Sequence, residues 1–209
     1  MTEPVLAERD GAILTVTLNL PEKRNPVSDP TVIEALEETL RAADSDIGVR
    51  AVILTGAGSA FSSGGDLKAM KAGTGLRAPV PAQTRRNYRE GIQRLPLLFH
   101  ALEVPVIAAV NGPAIGAGLD LACMCDVRIA AETAVFAESF VKLGIVAGDG
   151  GAWLLPRILG FSKATELALT GETIDAAEAL RIGLVSRVVP AAELMAAARE
   201  VAAKIAANP

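Results

Sequence analysis

An α/β layered fold is the architecture that this sequence predicts, because short strand-like segments alternate with amphipathic helical segments along the chain. Two of the strand-like segments, residues 50–55 and 105–110, run directly into glycine-rich turns that are followed by helical patterns. The chain has 209 residues, 51% of them hydrophobic, which is enough for one domain around a sizeable core. A single α/β domain is therefore the simplest prediction.

The composition excludes several classes of protein. Charged residues make up 21% of the chain, alternate in sign and leave a net charge of −4, so no basic surface for nucleic acid is expected. The apolar runs are short and the N-terminus lacks a basic start before an apolar stretch, so we expect no membrane segment and a cytoplasmic location. Cys123 and Cys125 lack His or Cys partners at zinc spacing, which predicts reduced core thiols and no structural metal.

The first half of the chain opens with a predicted hairpin. Residues 5–9 and 12–18 alternate as strands do around Asp10-Gly11, a pair that favours a tight turn. A loop over residues 21–30 follows, and at its end Asp29 is expected to cap a helix. Residues 50–55 form a buried strand by their apolar run.

The second half is predicted to be richer in helices. Residues 72–84, with two Gly and two Pro, indicate a mobile surface loop. The predicted strands after that loop are residues 105–110, 126–130 and 184–188. The predicted helices are residues 85–102, 150–159, 163–169, 175–181 and 191–206.

The first glycine-rich turn spans residues 56–67 and reads Gly-Ala-Gly-Ser-Ala-Phe-Ser-Ser-Gly-Gly-Asp-Leu. Its glycines allow backbone to approach a ligand where side chains would clash. It is no dinucleotide fingerprint, because Phe61 stands where the third glycine should fall, and no Gly-Lys-Ser/Thr closes it as a phosphate loop. A plain strand-to-helix turn with Asp66 in the first helical turn is the alternative interpretation.

The second glycine-rich turn, residues 111–121, has the same arrangement of apolar strand, turn and amphipathic run. Two such turns facing each other would aim backbone N–H groups at one carbonyl oxygen. An acyl carbonyl that gains negative charge in an enolate-like transition state needs two such donors about 3 Å away. The pair of turns therefore indicates an enzyme that acts on thioesters.

Both turns, followed by Cys125-Asp126 and by a Gly-Glu-x-Ile-x-Ala-x-Glu-Ala segment at residues 171–179, resemble the crotonase (enoyl-CoA hydratase/isomerase) superfamily over essentially the whole chain. The resemblance implies the ClpP/crotonase-like ββα spiral, with residues 1–190 as its core and residues 191–209 as the start of an incomplete C-terminal helical region. It also implies a homotrimer or a dimer of trimers.

The resemblance further implies the site residues. The amides of Ser63 and Ala117 would form the oxyanion hole, although Ala117 stands where the family usually has glycine. Beside them, the residues implied to line the thioester site are Gly64, Gly65, Asp66 and Gly116.

The carboxylates depart from the hydratase pattern. Asp120 stands at the first of the family's two catalytic glutamates, and burial would raise its pKa toward the range useful for proton transfer. Phe140, which transfers no proton, stands at the second. Asp149 lies within one residue of an aspartate used by related dienoyl isomerases and dehalogenases, and a helix N-cap is its alternative role. For Glu138, a solvated or salt-bridged side chain is expected.

Basic residues near the mouth of the site should meet the phosphates of CoA, which is part of the substrate, so no separate cofactor is expected. Lys23, Arg24 and Lys68 are the candidates, and ordinary solvated charges are their alternative role. His100, the only histidine, is expected to be structural, and Trp153 and Phe161 are expected in the core.

The sequence and the resemblance therefore predict hydration or double-bond isomerisation of an enoyl-CoA in fatty acid metabolism, with Asp120 and Asp149 as the proton-transferring acids. Thioester hydrolysis, dehalogenation and dienoyl isomerisation are alternatives within the superfamily. A non-catalytic acyl-CoA binder is the alternative outside enzymes, and Phe140 is the residue that favours it.

Overall fold

The computed structural model describes residues 3–208, apart from the side chains of Leu67 and Ala69. Its strands are β1 (Val5–Asp10), β2 (Ile13–Leu18), β3 (Ala51–Gly56), β4 (Val106–Val110), β5 (Ala114–Ile115), β6 (Val127–Ala131), β7 (Val135–Ala137), β8 (Thr173–Asp175) and β9 (Arg187–Val189). Its α-helices are α1 (Pro30–Ser45), α2 (Leu67–Lys71), α3 (Pro81–Glu90), α4 (Arg94–Ala101), α5 (Ala117–Met124), α6 (Gly151–Leu159), α7 (Phe161–Thr170), α8 (Ala176–Arg181) and α9 (Leu194–Ala206).

The main sheet has the strand order β1-β2-β3-β4-β6-β9 in the described part of the chain. The β1–β2 hairpin is antiparallel, as Asp10-Gly11 predicts, and every later pairing in this sheet is parallel. Parallel strands are normally buried on both faces. Accordingly, every residue of β3 and of β4 is buried.

Alternation along the central strands divides the core into two layers. Val52 and Leu54 face the larger cluster, which includes apolar residues of α1, α4 and α5. Ala51 and Ile53 face the opposite cluster, where α9 covers the sheet with small residues such as Ala198. The period of two places successive side chains on opposite faces. The sheet is therefore covered on both sides, and α9 forms most of the second cover.

A second, smaller sheet carries the parts of the molecule that matter for the site. Its order is β5-β7-β8, with β5 parallel to β7 and β8 antiparallel to β7. The strand β5 lies between β4 and α5, so it leads the second glycine-rich turn from the main sheet into a helix. A bridge between Ser62 and Ala114 joins the first turn to the same strand.

Several predicted boundaries are wrong. The predicted helix over residues 85–102 is two helices, α3 and α4, because Gly91 adopts ψ −116° and ends the first one. The loop predicted up to residue 84 ends earlier, since α3 begins at Pro81. The predicted strand over residues 184–188 is confined to β9. The sequence patterns did not reveal the short strands β5, β7 and β8.

Candidate active site

The two glycine-rich turns face each other, as the sequence predicts. The Ser62 N–H donates to the Pro113 carbonyl at 3.1 Å, and the Ile115 N–H donates back to the Ser62 carbonyl at 3.0 Å. Gly64 has φ +80°, and a Cβ on it would meet the Ile115 carbonyl oxygen and lie 3.0 Å from the Ala117 nitrogen. Only glycine accepts both this φ and this approach without strain. The two turns are thus held together by direct backbone contact.

A buried asparagine supports the first turn. Asn25 is fully buried with φ 54°, and its Nδ2 donates to the carbonyls of Ala57 and Ala60 at 3.0 and 2.9 Å. Its own carbonyl accepts from the Ser62 hydroxyl at 2.7 Å, and that hydroxyl in turn accepts from the Gly64 N–H at 3.0 Å. Asparagine tolerates a left-handed backbone and carries a donor and an acceptor. We did not predict this role of Asn25. The only sign of it in the sequence is an asparagine in the loop over residues 21–30.

Ser63, the predicted oxyanion-hole donor, lines the cavity, and its amide has a hydrogen-bond partner within the fold. The Ser63 N–H donates to the Arg24 carbonyl at 2.8 Å, so it is already used within the fold. Within the described residues the Gly65 N–H has no hydrogen-bond acceptor, and neither does the N–H of Ala117 at the start of α5. Both residues line the same cavity. Gly65 and Ala117 are therefore the two lining residues whose amides are available in this structure, and the assignment of Ser63 stays a prediction.

The cavity between the turns has a volume of about 240 Å³ and a largely apolar lining. Its apolar wall includes Met70, Ile92, Ile115 and Phe140. Asp149 is the only carboxyl group among the described residues that line it, and Tyr88 and Lys142 also reach it. An apolar cavity with one acid and two amides is suited to proton transfer next to a polarised carbonyl.

Asp149 belongs to a buried group of acids that we call the carboxyl cluster, formed by Asp120, Glu138 and Asp149. Their relative exposures are 0%, 3% and 1%. Taken as carboxylates, both oxygens of each aspartate and Oε2 of Glu138 have no donor among the described residues. Asp149 and Glu138 lie close enough to Asp120 for their charges to act on its pKa. The three acids are therefore electrostatically coupled.

Burial and mutual repulsion raise the pKa of each member of the cluster. The pKa of Asp120 lies well above its usual range because it is desolvated and because Asp149 and Glu138 repel its charge. Burial, with the nearby Asp149 charge, raises the pKa of Glu138 to about 8. Burial also raises the pKa of Asp149, and the neighbouring Asp120 side chain lowers it in part. Asp120 is consequently the acid that keeps its proton, and Asp149 is the better base.

The local folds that position these acids differ. Asp120 lies in the first turn of α5, where its N–H donates to the Gly116 carbonyl at 3.0 Å. Its carboxyl lies against Gly151 at the start of α6, so closely that a Cβ on Gly151 would overlap it. Glu138 directly follows β7, and Asp149 precedes the Gly150 N-cap of α6. Three separate elements therefore bring the cluster together.

Phe140 lies in the 3₁₀ helix Ser139–Leu143 and lines the cavity. Its ring is in van der Waals reach of Gly116, 3.7 Å from the place where a Cβ would be. The position that the resemblance assigned to a second glutamate is thus occupied by an apolar wall. This agrees with the departure noted in the sequence.

Three expectations about single residues are wrong. Glu138 is neither solvated nor salt-bridged; it is buried beside Asp120. Asp149 does not cap α6, since Gly150 is the N-cap residue and no side chain caps that helix. Trp153 and Phe161 are not in the core, with exposures of 52% and 78%. His100 packs edge-on against Trp153, away from the cavity, in agreement with a structural role.

The predicted basic residues lie at the rim of the first turn. Lys23 has an ion pair with Asp29 at 3.7 Å, and Arg24 contributes the carbonyl that holds Ser63. Lys68 is exposed on α2. Lys142, which the sequence analysis did not single out, lines the cavity itself.

Comparisons with known proteins give consistent matches. A family model described as enoyl-CoA hydratase/isomerase matches residues 8–209. The probable enoyl-CoA hydratase echA8 of Mycobacterium bovis is 41% identical over 203 residues, which are 97% of this chain and 75% of the relative. The crystal structure of an enoyl-CoA hydratase from Bacillus anthracis superposes with a TM-score of 0.90 at 37% identity, covering 98% of this chain and 77% of the other.

A further solved structure is that of a monofunctional enoyl CoA isomerase from M. smegmatis. It has a TM-score of 0.80 and 42% identity, and the match covers 100% of this chain and 87% of the other. These matches extend over nearly the whole chain, and they confirm the predicted fold class.

Proposed function

The chain belongs to the enoyl-CoA hydratase/isomerase family, and from that premise we propose that it moves the double bond of an enoyl-CoA thioester by a one-acid proton transfer. The observation that carries the proposal is the cavity lining, in which Asp149 is the only described carboxyl group and Phe140 occupies the position of a second one. A double-bond shift needs one base that removes a proton and returns it two carbons away.

The thioester oxygen would be held by the N–H groups of Gly65 and Ala117. Both are free of other acceptors among the described residues and both line the cavity. Ala117 is also the first residue of α5, so the positive end of that helix adds to the stabilisation of an oxyanion. Removal of one such donor typically slows an enzyme by about 100- to 1000-fold.

Asp149 would remove a proton from C2 of a 3-enoyl thioester and return it to C4. Loss of the C2 proton gives a dienolate that the amides hold. As its oxyanion returns to a carbonyl, the C2–C3 double bond forms and the electrons of the former C3–C4 double bond take up the proton at C4. Its raised pKa brings Asp149 closer to the acidity of such a carbon acid, which favours transfer in both directions. Asp120 lies behind Asp149 and does not line the cavity. It is a positioning residue in this scheme, which revises its predicted catalytic role.

The direct test is Asp149→Asn, assayed with 3-hexenoyl-CoA for formation of the conjugated 2-enoyl thioester. We expect kcat to fall by at least about 100-fold because the amide cannot accept the proton, while binding of the CoA ester is retained. The exposed acid Glu132 provides the control variant Glu132→Gln, which should leave kcat unchanged. A variant Asp149→Asn that isomerises at the normal rate would overturn the assignment.

Hydration is the second candidate, because the relatives from Mycobacterium bovis and Bacillus anthracis carry the name enoyl-CoA hydratase. Water addition requires a water molecule placed against C3, and Asp149 would have to activate it alone. The loss of crotonyl-CoA absorbance measures this reaction separately. Rapid loss with crotonyl-CoA and no isomerisation of 3-hexenoyl-CoA would make hydration the function of this site.

The CoA part of the substrate would meet Lys23, Arg24 and Lys68 at the rim and Lys142 in the cavity wall, since phosphate groups favour nearby cations. No cofactor besides the CoA of the substrate enters this scheme. A place in fatty acid metabolism and a cytoplasmic location are parts of the same proposal. In the described residues no helix is long and apolar enough to cross a membrane.

Assembly into a trimer or a dimer of trimers is also part of the proposal. Large apolar side chains are exposed close together in sequence around α6 and α7, among them Trp153, Phe161 and Leu169 at 52%, 78% and 70%. Exposed apolar groups of this size often mark contacts between subunits. Sedimentation of the purified protein measures the assembly directly.

A further inference from the structure

Two cavities lie on opposite sides of one wall. The first is the cavity lined by Asp149 and the free amides. The second, which we call the outer groove, has a volume of about 300 Å³ and is lined by residues of α6 and α7, including Ala152 and Phe161. Phe140 and Ile145 line both, so these two apolar side chains form the wall between them. Neither side chain offers a hydrogen bond to a water molecule between the cavities.

The carboxyl cluster passes around this wall. Asp149 lines the first cavity, and Glu138 lines the outer groove. Asp120 lines neither cavity and is fully buried, and Asp149 and Glu138 lie near enough for their charges to raise its pKa. Its carboxyl also lies against Gly151, which lines the outer groove. The acids therefore form one continuous row from the site of chemistry to a second opening.

We propose that Asp149, Asp120 and Glu138 form a proton relay that connects the substrate carbon with water in the outer groove. The inference rests on the proposed function, because Asp149 must first exchange a proton with the substrate. Its new content is the role of Glu138, a residue outside the cavity that the reaction itself does not need.

The relay consists of proton transfers only. Glu138 releases its proton to water in the groove, the Asp120 proton passes to Glu138, and the proton that Asp149 took from the substrate passes to Asp120. The Asp149 carboxylate is then restored and one proton has left the site. Run backwards, the same steps deliver a solvent proton to the substrate carbon. A carboxyl can donate through one oxygen and accept through the other, as the middle position requires.

A structural role for Glu138 is the competing explanation, since a buried acid can also be kept for packing. The two differ in one measurable quantity. A relay lets the proton on Asp149 exchange with solvent during the lifetime of the enolate, whereas an isolated Asp149 returns the same proton to the substrate. Deuterium entering the product per turnover therefore reports on the relay and not on folding.

The experiment compares the wild-type protein with Glu138→Gln during isomerisation of 3-hexenoyl-CoA in D2O, with mass spectrometry of the product. We expect the deuterium incorporated per turnover to fall by roughly tenfold, because the amide of Gln neither takes up nor releases a proton. Glu138→Asp keeps a carboxyl and should restore part of the exchange, and Glu132→Gln, at an exposed position, should change nothing. Equal incorporation in the wild type and in Glu138→Gln would overturn the relay.

A second variant avoids the buried acids. Ala152 is exposed and lines the outer groove, so Ala152→Phe fills the groove without replacing a member of the cluster. Incorporation per turnover should fall here too, and an unchanged value overturns the relay even if Glu138→Gln does not fold.

If the wild type does not isomerise 3-hexenoyl-CoA, the proposed function fails, and the relay is then tested by exchange of the C2 protons of butyryl-CoA in D2O. Exchange that depends on Glu138 supports the relay. Exchange that is absent, or that is the same in the wild type and in Glu138→Gln, overturns it.

Discussion

At the scale of single residues, the buried acids are the most unusual feature of the molecule. Among the residues that the structure describes, Asp120, Glu138 and Asp149 have no cation as a hydrogen-bond partner, and each is more than nine-tenths buried by its accessible surface. Charged carboxylates are expensive in such surroundings, so the acids hold protons instead. Natural proteins retain such groups mainly where they serve chemistry. The raised pKa values of the cluster thus lower stability at high pH. They also provide acids that exchange protons near neutrality.

The pH dependence of stability follows from these raised pKa values. Between the ordinary carboxyl pKa and about 8 for Glu138, the folded protein holds protons that the unfolded chain has released. The contribution of the cluster to stability is therefore greatest below the ordinary carboxyl pKa of about 4 and falls as the pH rises toward 8, at about 1.4 kcal/mol per pH unit for each proton held. The paired acids Glu37, Glu178 and Glu200 have pKa values lowered from 4.5 and titrate below this window.

The other ionisable groups around the cluster titrate above the window. Burial raises the pKa of Cys123 from 9.0 to about 12 and raises the pKa of Tyr88, which also lies near the Asp149 charge. The slope between pH 5 and pH 8 should therefore come from the cluster. Urea unfolding of the wild type and of Asp120→Asn at several pH values checks this.

We expect Asp120→Asn to flatten the slope and to be the more stable protein at pH 8, because its amide donates to both neighbouring carboxylates without carrying charge. Asp10→Asn, on the exposed end of the β1 strand, serves as the control and should retain the wild-type slope. A slope in Asp120→Asn as steep as that of the wild type would contradict the assignment.

The role of a residue could be predicted where local backbone geometry decides it. It could not be predicted where contacts with distant parts of the chain decide it. The resemblance implied Ala117, and a helix start leaves its N–H without a partner inside the helix. The partner of the Ser63 N–H was not predictable, because its acceptor, the Arg24 carbonyl, comes from a loop 39 positions away in sequence. Glu138 was misjudged for the same reason, since its burial depends on α5 and α6.

At the scale of elements, the paired turns act as one rigid unit. Gly64 approaches Ile115, Ala117 and Gly118 of the other turn, so neither turn can shift without the other. This contact fixes the relative position of the Gly65 and Ala117 amides. Donors that are already oriented need no reorganisation as charge develops.

Gly64→Ala should therefore reduce activity far more than a variant that introduces the same backbone strain elsewhere in the fold. Gly183→Ala is the matched control, because Gly183 has the same φ of +80° but open space where the Cβ would lie. Each variant should lose about 1–2 kcal/mol of stability from the left-handed backbone. Only Gly64→Ala, whose Cβ meets the second turn, should also lower kcat by more than about tenfold.

The measurements are thermal unfolding and the 3-hexenoyl-CoA assay on both variants. Equal activity in the two would show that the turns tolerate separation, and the rigid-unit interpretation would then be wrong.

Element boundaries were predicted unevenly. The hairpin and α1 were anticipated because Asp10-Gly11 and the Asp29 cap are local signals, and the Asp29 side chain does accept from the Thr31 N–H at 3.0 Å. The break between α3 and α4 was missed, although a Cβ on Gly91 would lie 2.7 Å from the Asn87 carbonyl oxygen. The strands β5, β7 and β8 are too short for a periodic pattern, and their pairing partners are distant in sequence.

At the scale of the whole molecule, the sheet depends on a cover from each side. Helix α9 supplies one cover through small residues, since Ala198 and Ala202 are fully buried against β3, β4 and β6. Small side chains bring the helix backbone close to the strands. The central strands that lead to the glycine-rich turns are thus supported from behind.

Overpacking of this interface should destabilise the whole protein. Ala202→Leu inserts a branched side chain into a filled layer and should cost about 1–3 kcal/mol of unfolding free energy. Ala203→Leu, one residue further on the exposed face, is the matched control and should change stability little. Urea denaturation compares the two, and equal stabilities would mean that α9 does not close the core.

The alternation of strands and helices was enough to predict an α/β architecture. The spacing of apolar residues along each helix or strand follows from the face that it buries, so this signal is local. The order β1-β2-β3-β4-β6-β9 was not readable from the residues, since parallel pairing joins segments that lie far apart in sequence. The resemblance to a known family implied a ββα spiral and no strand order. The predicted boundary between a core over residues 1–190 and a C-terminal region over residues 191–209 stays a prediction. In the structure, α9 packs on the main sheet.

The free N–H groups of Gly65 and Ala117 have a consequence for genetics. A backbone donor persists under nearly every codon change, and only proline removes it. A mutational scan would therefore record position 117 as tolerant of small side chains, although it carries half of the proposed charge stabilisation. In such a scan the intolerant positions would be Gly64, whose Cβ would meet the other turn, and Gly151, whose Cβ would overlap the Asp120 carboxyl. The scan would thus identify the glycines that hold the site together, and it would not identify the residues whose N–H groups are the proposed donors.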